Sequence, residues 1–215
     1  IPHNDNPHHR QRQPTPQTTT THTTDMTTIT QARREHADAI ALLVMTAMSD
    51  ECCLNLTGEG HTLHDFYVLI SRLAAAEVSQ YSYNNAIVAL DADGKVCGAV
   101  VSYDGGKLHE LRDAFIKGAA ELLGRDFTDM DDETSASEWY IDSLAVRPDQ
   151  RGKGIAHKLL NAAIGRATEA GLPAALLVDK GNPAAERLYR SLGFEYANDA
   201  VWGGHAMRHL VRPLR

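Results

Sequence analysis

The sequence predicts an α/β fold in a single domain, and three observations carry that prediction. From Thr28 onward, short apolar segments rich in β-branched residues alternate with segments of helical apolar periodicity. The chain has 215 residues, 43% of them hydrophobic, which is enough for one well-packed core and short for two. One joint, Asp91-Ala-Asp-Gly94, is a tight-turn signal between two apolar runs, so at least one strand pair is antiparallel.

Ile29 with its β-branched neighbours marks a first strand. Asp38 to Met48 reads as an amphipathic helix, with Ile40, Leu43, Val44 and Ala47 on one face. A second helix is expected from Leu63 to Val78, where Phe66, Tyr67, Ile70 and Leu73 either fill the core or wall a ligand pocket. Ala86 to Leu90 and Val96 to Val101 form the hairpin around Gly94, and Cys97 inside it is a small core residue. A helix follows from Leu108 to Leu123, then a segment from Gly124 in which Asp126, Asp129, Asp131, Asp132 and Glu133 form an acidic run. Such a run is expected to be a solvated loop, or else a rim that draws in a cationic amine. Trp139 opens the next strand. Ile155 to Ala170 is helical and stops at Gly171, Ala174 to Val178 is a fully buried strand, and Pro183 and Gly193 bracket a helix carrying Tyr189. Phe194 to Tyr196 and His205 to Val211 are expected to close the sheet as a hairpin. His205 and His209 share a strand face there without a third ligand, so no metal site is expected.

Residues 139–156, WYIDSLAVRPDQRGKGIA, run from an apolar strand through a proline-containing turn into a glycine-spaced basic loop that opens a helix. That arrangement suits an anion. Glycines at 152 and 154 let the backbone expose its N–H groups, the helix N-terminus adds partial positive charge, and Arg151 and Lys153 add full charge. It is not a Walker A loop, because Gly154 rather than Ser or Thr follows Lys153. Nor is it the dinucleotide fingerprint, because His157 stands where a third glycine is needed.

The spelling Arg151-Gly-Lys-Gly154-Ile-Ala156 resembles the acyl-CoA pyrophosphate signature of the GNAT superfamily of N-acyltransferases, Arg/Gln-x-x-Gly-x-Gly/Ala. Asp142 to Pro148 before it is similar to the family's fourth strand and turn. Asn182-Pro-Ala-Ala185 through Tyr189 to Gly193-Phe194 is similar to its second CoA-contacting helix. The resemblance spans about residues 27–212, with its specific motifs in 138–194. It implies a mixed, mostly antiparallel sheet of about six or seven strands flanked by helices. It also implies an N-acetyltransferase that uses acetyl-CoA as cosubstrate and an amine, on a small molecule or a protein, as acceptor. By resemblance the cofactor contacts are the backbone of Leu144, Ala145 and Val146, which would hold pantetheine as an added strand, the loop Arg151, Gly152, Lys153, Gly154, Ile155 and Ala156, and then Asn182, Ala185 and Tyr189. Tyr189 is implied as the general acid for the leaving sulfur.

An alkylamine titrates near pH 10.4, so on the order of one molecule in a thousand is a nucleophile at neutral pH, a deficit of roughly 4 kcal/mol. A base is required. Strand alternation from residue 138 puts Glu138, Tyr140, Asp142, Leu144 and Val146 on one face. Asp142 occupies a position where family members carry a base, with a backbone-capping carboxylate as its structural alternative. Glu138 is the second candidate, and Tyr140 sits where other members carry a glutamate. Transfer is expected to be direct, none of the three cysteines lying near a motif where a nucleophile belongs. The alternatives are a non-catalytic acyl-CoA-binding or regulatory module and an enzyme using a longer acyl-CoA.

Net charge of −7 argues against a general nucleic-acid binder. No apolar run spans a bilayer, and three cysteines suggest neither a disulfide framework nor a zinc site, so no membrane association and a cytoplasmic location are expected. No metal is expected, and a homodimer is an open expectation. Residues 1–25 are rich in Pro, Thr, Gln, Asn and His and are expected to be a disordered tail ahead of a domain at 26–215. Their histidines, His3, His8, His9 and His22, are read as solvated chain rather than ligands, and Met26 is a candidate natural start.

Overall fold

The computed structural model of the chain describes residues 27–214, so the expectations for the tail lie outside the described residues. In order the elements are β1 (Thr28–Gln31), α1 (Ala37–Met48), α2 (Asp50–Thr57), α3 (Leu63–Ala74), β2 (Ala86–Leu90), β3 (Val96–Asp104) and α4 (Leu108–Leu123). Then come β4 (Trp139–Val146), α5 (Ile155–Glu169), β5 (Ala174–Asp179), α6 (Pro183–Ser191), β6 (Glu195–Trp202) and β7 (His205–Arg212). One seven-stranded sheet has the order β1-β2-β3-β4-β5-β7-β6. All neighbours are antiparallel except β4 and β5, which run parallel. This is the mixed, mostly antiparallel sheet flanked by helices that the sequence led us to expect. No single helix among the described residues is long and apolar enough to cross a membrane.

The sheet separates two apolar layers. On one side Ile40, Val44, Phe66, Leu69, Ile70, Leu108 and Phe115 from α1, α3 and α4 pack with Val88, Val101, Tyr103 and Tyr140. On the other, Ile155, Leu159, Leu160 and Ala163 of α5 pack with Cys97, Val100, Ile141, Leu176 and Val178. Each large side chain buried this way contributes about 1.5–3 kcal/mol before chain entropy is set against it. Phe66, Ile70 and Leu73 are core rather than pocket wall, and Tyr67 packs against the same cluster. Gly98 of β3 is the point where α5 comes closest: a Cβ there would stand 3.1 Å from Leu159 Cδ1 and 3.2 Å from Ile155 Cγ2. A small residue at that position lets the first turn of α5 rest on the strands.

Four local expectations need correction. The helix from Leu63 stops at Ala74, because the chain turns back and Ser79 and Ser82 hydroxyls tie to the carbonyls of Leu73 and Ala76 at 2.7 and 2.6 Å. The sequence reading also passed over α2. It follows α1 through a bend of 102° at Ser49, which takes φ 73°, ψ 154°. That conformation costs a non-glycine residue on the order of 1–3 kcal/mol. Its hydroxyl caps α2, accepting from Cys52 N at 3.4 Å.

Third, the face assignment from residue 138 does not survive a β-bulge. Val101 faces Ser143 and Ser102 faces Ile141, so Asp142 is the extra residue of β4 and the alternation resets there. Tyr140 belongs to the α1/α3/α4 layer, whereas Leu144 and Val146 belong to the α5 layer. Fourth, the acidic run is not uniformly solvated. Asp126 and Asp129 are exposed, but Glu133 is buried and pairs with Arg112, which is itself buried on α4.

Candidate active site

β4 and β5 pair only through Trp139 with Ala174 and Tyr140 with Ala175. Beyond those two pairs β4 continues beside β3 to Val146 and β5 continues beside β7 to Asp179, so the two strands part. The edge of β4 from Ile141 onward is left without a strand partner on that side. A cavity of about 460 Å³ fills the opening. Asp142 to Val146 and Leu177 to Asp179 form its two strand walls, Asn182, Ala185, Leu188 and Tyr189 of α6 close one side, and Met48, Ser49 and Cys52 close another. Arg151 and Ala156 bring in the glycine-spaced loop.

That loop is held from below. Arg147 donates to Asp149 at 2.8 Å and to Asp91 at 3.3 Å, and its backbone N–H reaches Cys97 O at 2.8 Å. The Arg147 guanidinium holds the Asp149 carboxyl well below the usual carboxylate range. Arg151 folds back, its Nε donating to Val146 O at 3.1 Å, while Lys153 Nζ donates to Gln150 Oε1 at 3.1 Å. Gly152 and Gly154 have φ of 78° and 75°, the left-handed region that side chains other than glycine's rarely occupy. A Cβ at either would meet nothing within 4 Å, so glycine is required by the backbone rather than by crowding. Gly154 is the N-cap of α5, and the helix's first N–H groups have no intrahelical acceptors. Of this loop Arg151 and Ala156 line the cavity, so an arginine and the first turn of α5 border it, whereas Gly152, Lys153, Gly154 and Ile155 lie outside its lining.

Asp142 stands at the bulge. Its Oδ1 accepts from Ser143 Oγ at 2.7 Å and its Oδ2 from Tyr103 Oη at 3.0 Å. Burial, and then the nearby charge of Glu133, push its carboxyl up to about 6, against the opposing pull of those two hydroxyls and of Arg112. It is thus mostly ionised at neutral pH yet far more basic than an exposed aspartate.

Glu138 does not line the cavity. Its Oε2 lies 2.9 Å from His209 Nε2 and its Oε1 accepts from Thr134 Oγ1 at 2.7 Å. Burial works to raise this carboxyl, but the hydrogen bonds from His209 and Thr134 outweigh it and leave it below the ordinary value. The structure thus brings Asp142 and Tyr189 to one cavity and leaves Glu138 in a separate paired site.

Tyr189 packs its ring edge-on to Phe194 with centroids 6.0 Å apart, and its hydroxyl makes no hydrogen bond among the described residues. Burial pushes the phenol up to about 12, so it stays protonated across the working range. Asn182 spends its Oδ1 on the N-terminus of α6, accepting from Ala185 N at 3.1 Å, while the residue still borders the cavity. Cys52 also borders the cavity, a placement to which no motif in the sequence pointed. Burial, then the Glu51 charge, raise its thiol, and burial first of all raises Cys53 to about 12. Thiols so raised are poor nucleophiles near pH 7. No group of three or more His, Cys, Asp or Glu side chains among the described residues is placed to hold a metal ion.

Sequence reasoning missed Arg112, Tyr103, Gln80 and Tyr81 around Asp142, and it named Glu133 only as part of the acidic run, not as a buried neighbour of that residue. One signal was available. Arg112 falls between Leu108, Leu111 and Phe115 on the apolar face of its helix, where a charge needs a buried partner.

The model of the acetyltransferase (GNAT) family matches residues 61–194. L-methionine sulfoximine/L-methionine sulfone acetyltransferases of Pseudomonas paraeruginosa and Pseudomonas aeruginosa are 48% identical to this chain over 54 residues. That match takes in 25% of this chain and only 31% of those relatives. The crystal structure of an N-acetyltransferase from Staphylococcus aureus Mu50 superposes with a TM-score of 0.73 at 27% identity, covering 86% of this chain and 99% of the other. Another acetyltransferase structure gives 0.72 at 28%, covering 87% and 100%. Since the family match takes in both strands that part, the loop between them and the helix that carries Tyr189, the chain belongs to the GNAT family of acetyltransferases.

Proposed function

We propose that this enzyme transfers an acetyl group from acetyl-CoA to a primary amine by direct attack, with Asp142 as base and Tyr189 as the donor to the leaving sulfur. The observation that carries the reading is that one cavity joins an anion-suited loop at Arg151 to a carboxylate raised to about 6 at Asp142. On this reading the backbone donors from Gly152 to Ala156 and the Arg151 guanidinium hold the pyrophosphate, and the unpaired edge at Leu144, Ala145 and Val146 holds the pantetheine arm. Asn182 fixes the start of the helix that presents Ala185 and Tyr189.

The acceptor arrives as an ammonium and gives one proton to Asp142, the N–H electron pair staying on nitrogen. Raising the base from an ordinary aspartate to about 6 recovers about 3 kcal/mol of the mismatch with an alkylamine. The nitrogen pair then forms the new bond to the thioester carbon, and the carbon–sulfur bond breaks with its pair going to sulfur. The Tyr189 hydroxyl gives its proton to the sulfur as charge develops there, which completes the thiol, and the surplus proton left on the new amide nitrogen passes through water to restore the Tyr189 hydroxyl. Asp142 returns its proton to water.

Free-thiol release from acetyl-CoA, measured over a panel of polyamines, aminoglycosides, amino acids and peptides, tests this function. The panel includes L-methionine sulfoximine and L-methionine sulfone, the compounds named for the Pseudomonas relatives. Release accompanied by a product heavier by one acetyl group is expected for at least one amine. Tight acetyl-CoA binding with no release from any of them would sink the reading.

A further inference from the structure

The proposed mechanism uses Asp142 and leaves a buried ion pair beside it unexplained. Arg112 on α4 is 2% exposed and Glu133, at the end of the acidic run, is 8% exposed. They pair directly inside the protein. The desolvation of two such ions can cost as much as their attraction returns, so a gain in stability does not by itself account for the pair.

Its surroundings say what does. Gln80 Nε2 donates to Glu133 Oε1 at 2.7 Å and reaches Tyr103 Oη at 3.1 Å. Tyr103 Oη lies 3.3 Å from Glu133 Oε1 and 3.0 Å from Asp142 Oδ2. This hydroxyl has one proton and two carboxylates within reach, so it serves one of them at a time. Glu133 is already satisfied by Arg112 and Gln80. Arg112 is held in turn by Asp132 at 3.0 Å and by the carbonyls of Met130 and Asp131 at 3.1 and 3.0 Å.

We propose that Arg112 and Glu133 form a positioning pair for proton transfer at Asp142: by fixing the charge on Glu133 they make Asp142 the carboxylate of the two that takes the acceptor's proton, while the Tyr103 hydroxyl, left free by a saturated Glu133, holds Asp142 in place. The proposal rests on Asp142 being the base. In the transfer the ammonium N–H bond breaks, an O–H bond forms on Asp142, and Glu133 keeps its charge throughout. The other groups facing Asp142 are the Ser143 hydroxyl beside it and three phenols: Tyr103 on β3, Tyr140 on β4 and Tyr81 ahead of β2. Burial raises all three phenols well above their ordinary value, so they are neutral and only Glu133 and Arg112 bring charge to the site. Two carboxylates this close resist joint ionisation, and fixing the charge on Glu133 leaves the proton to Asp142.

The test is a carboxyl ¹³C NMR titration of the protein carrying ¹³Cγ-labelled aspartate, with the Asp142 resonance assigned by its loss in Asp142→Asn. The wild-type midpoint is expected near 6. Glu133→Gln removes the neighbouring negative charge and should lower the midpoint by about half a unit or more. Tyr103→Phe removes a hydrogen bond to the ionised form and should raise it. A pair with only a structural role would lower the unfolding temperature without shifting the midpoint in opposite directions in the two variants. An unmoved or raised midpoint in folded Glu133→Gln overturns the proposal. If that variant does not fold, an unmoved midpoint in Tyr103→Phe overturns it equally. Wild-type thiol release by Asp142→Asn would instead remove the base reading beneath the proposal, whereas a fixed midpoint alongside an inactive Asp142→Asn removes only the role of the pair, so the two failures are distinct.

Discussion

Asp142→Asn should make the enzyme slower and more stable at once. The wild-type carboxyl is raised from 3.8 to about 6 in the folded protein, first by burial and then by the Glu133 charge. Between those two values the folded state binds more protons than the unfolded state, so stability falls as pH rises through that window. Above it the penalty is complete, at most about 3 kcal/mol, and smaller to the extent that water in the cavity solvates the carboxylate. Asparagine has no charge to bury, so the variant should equal wild type near pH 3.5 and exceed it at pH 7 by about 1–3 kcal/mol, or several degrees in Tm. Urea denaturation of both proteins at the two pH values measures this. Thiol release with the best acceptor should meanwhile fall, and the deficit should shrink as pH rises and more of the amine is already neutral. A capping carboxylate behaves in the opposite way: its loss destabilises at pH 7 and leaves the rate of the folded protein nearly unchanged. That outcome would refute the reasoning from burial and charge.

Tyr189→Phe keeps the ring that packs on Phe194 and removes the hydroxyl, so turnover should fall about 10²-fold or more with CoA affinity nearly intact. Equal turnover by the folded variant would show that the phenol only packs. Arg151→Glu places a carboxylate against the backbone donors of the loop and should weaken CoA binding by at least about tenfold in calorimetric titration. An unchanged affinity would move the phosphate site elsewhere. Deleting residues 1–25 should leave Tm and acetyl-CoA affinity unaltered, and a large drop in either would mean that the domain begins earlier than its composition suggests.

The phosphate-suited loop was legible because everything that makes it is contiguous. The strand at Trp139, the proline turn, the positive-φ glycines at 152 and 154 and the opening of α5 are adjacent in sequence, and each follows from local backbone chemistry. The same holds for Pro183 and Asn182 at the head of α6. The short helix after Ser49 was missed because its first half, Asp50 to Cys53, carries no helical apolar face and a serine with φ 73° lies before it. The surroundings of Asp142 were not legible, because Gln80, Tyr103, Arg112, Glu133 and Asp142 come from five separate segments that meet only when the sheet and α4 pack.

By itself the sequence determined the class of fold, the order along the chain of the strands and of every helix but the short one at Asp50–Thr57, and the loop and helix on which the family resemblance rests, since those depend on periodicity and on neighbours within a few residues. Only the tertiary structure decided that of the two candidate bases Asp142 reaches the cavity and Glu138 does not. A single extra residue in β4 resets the faces of the strand, and Arg112, packed 21 positions upstream in the chain from its partner Glu133, sets the charge beside Asp142. Burial and charge pairing of that kind depend on distances through space, which one residue's neighbours in sequence do not encode.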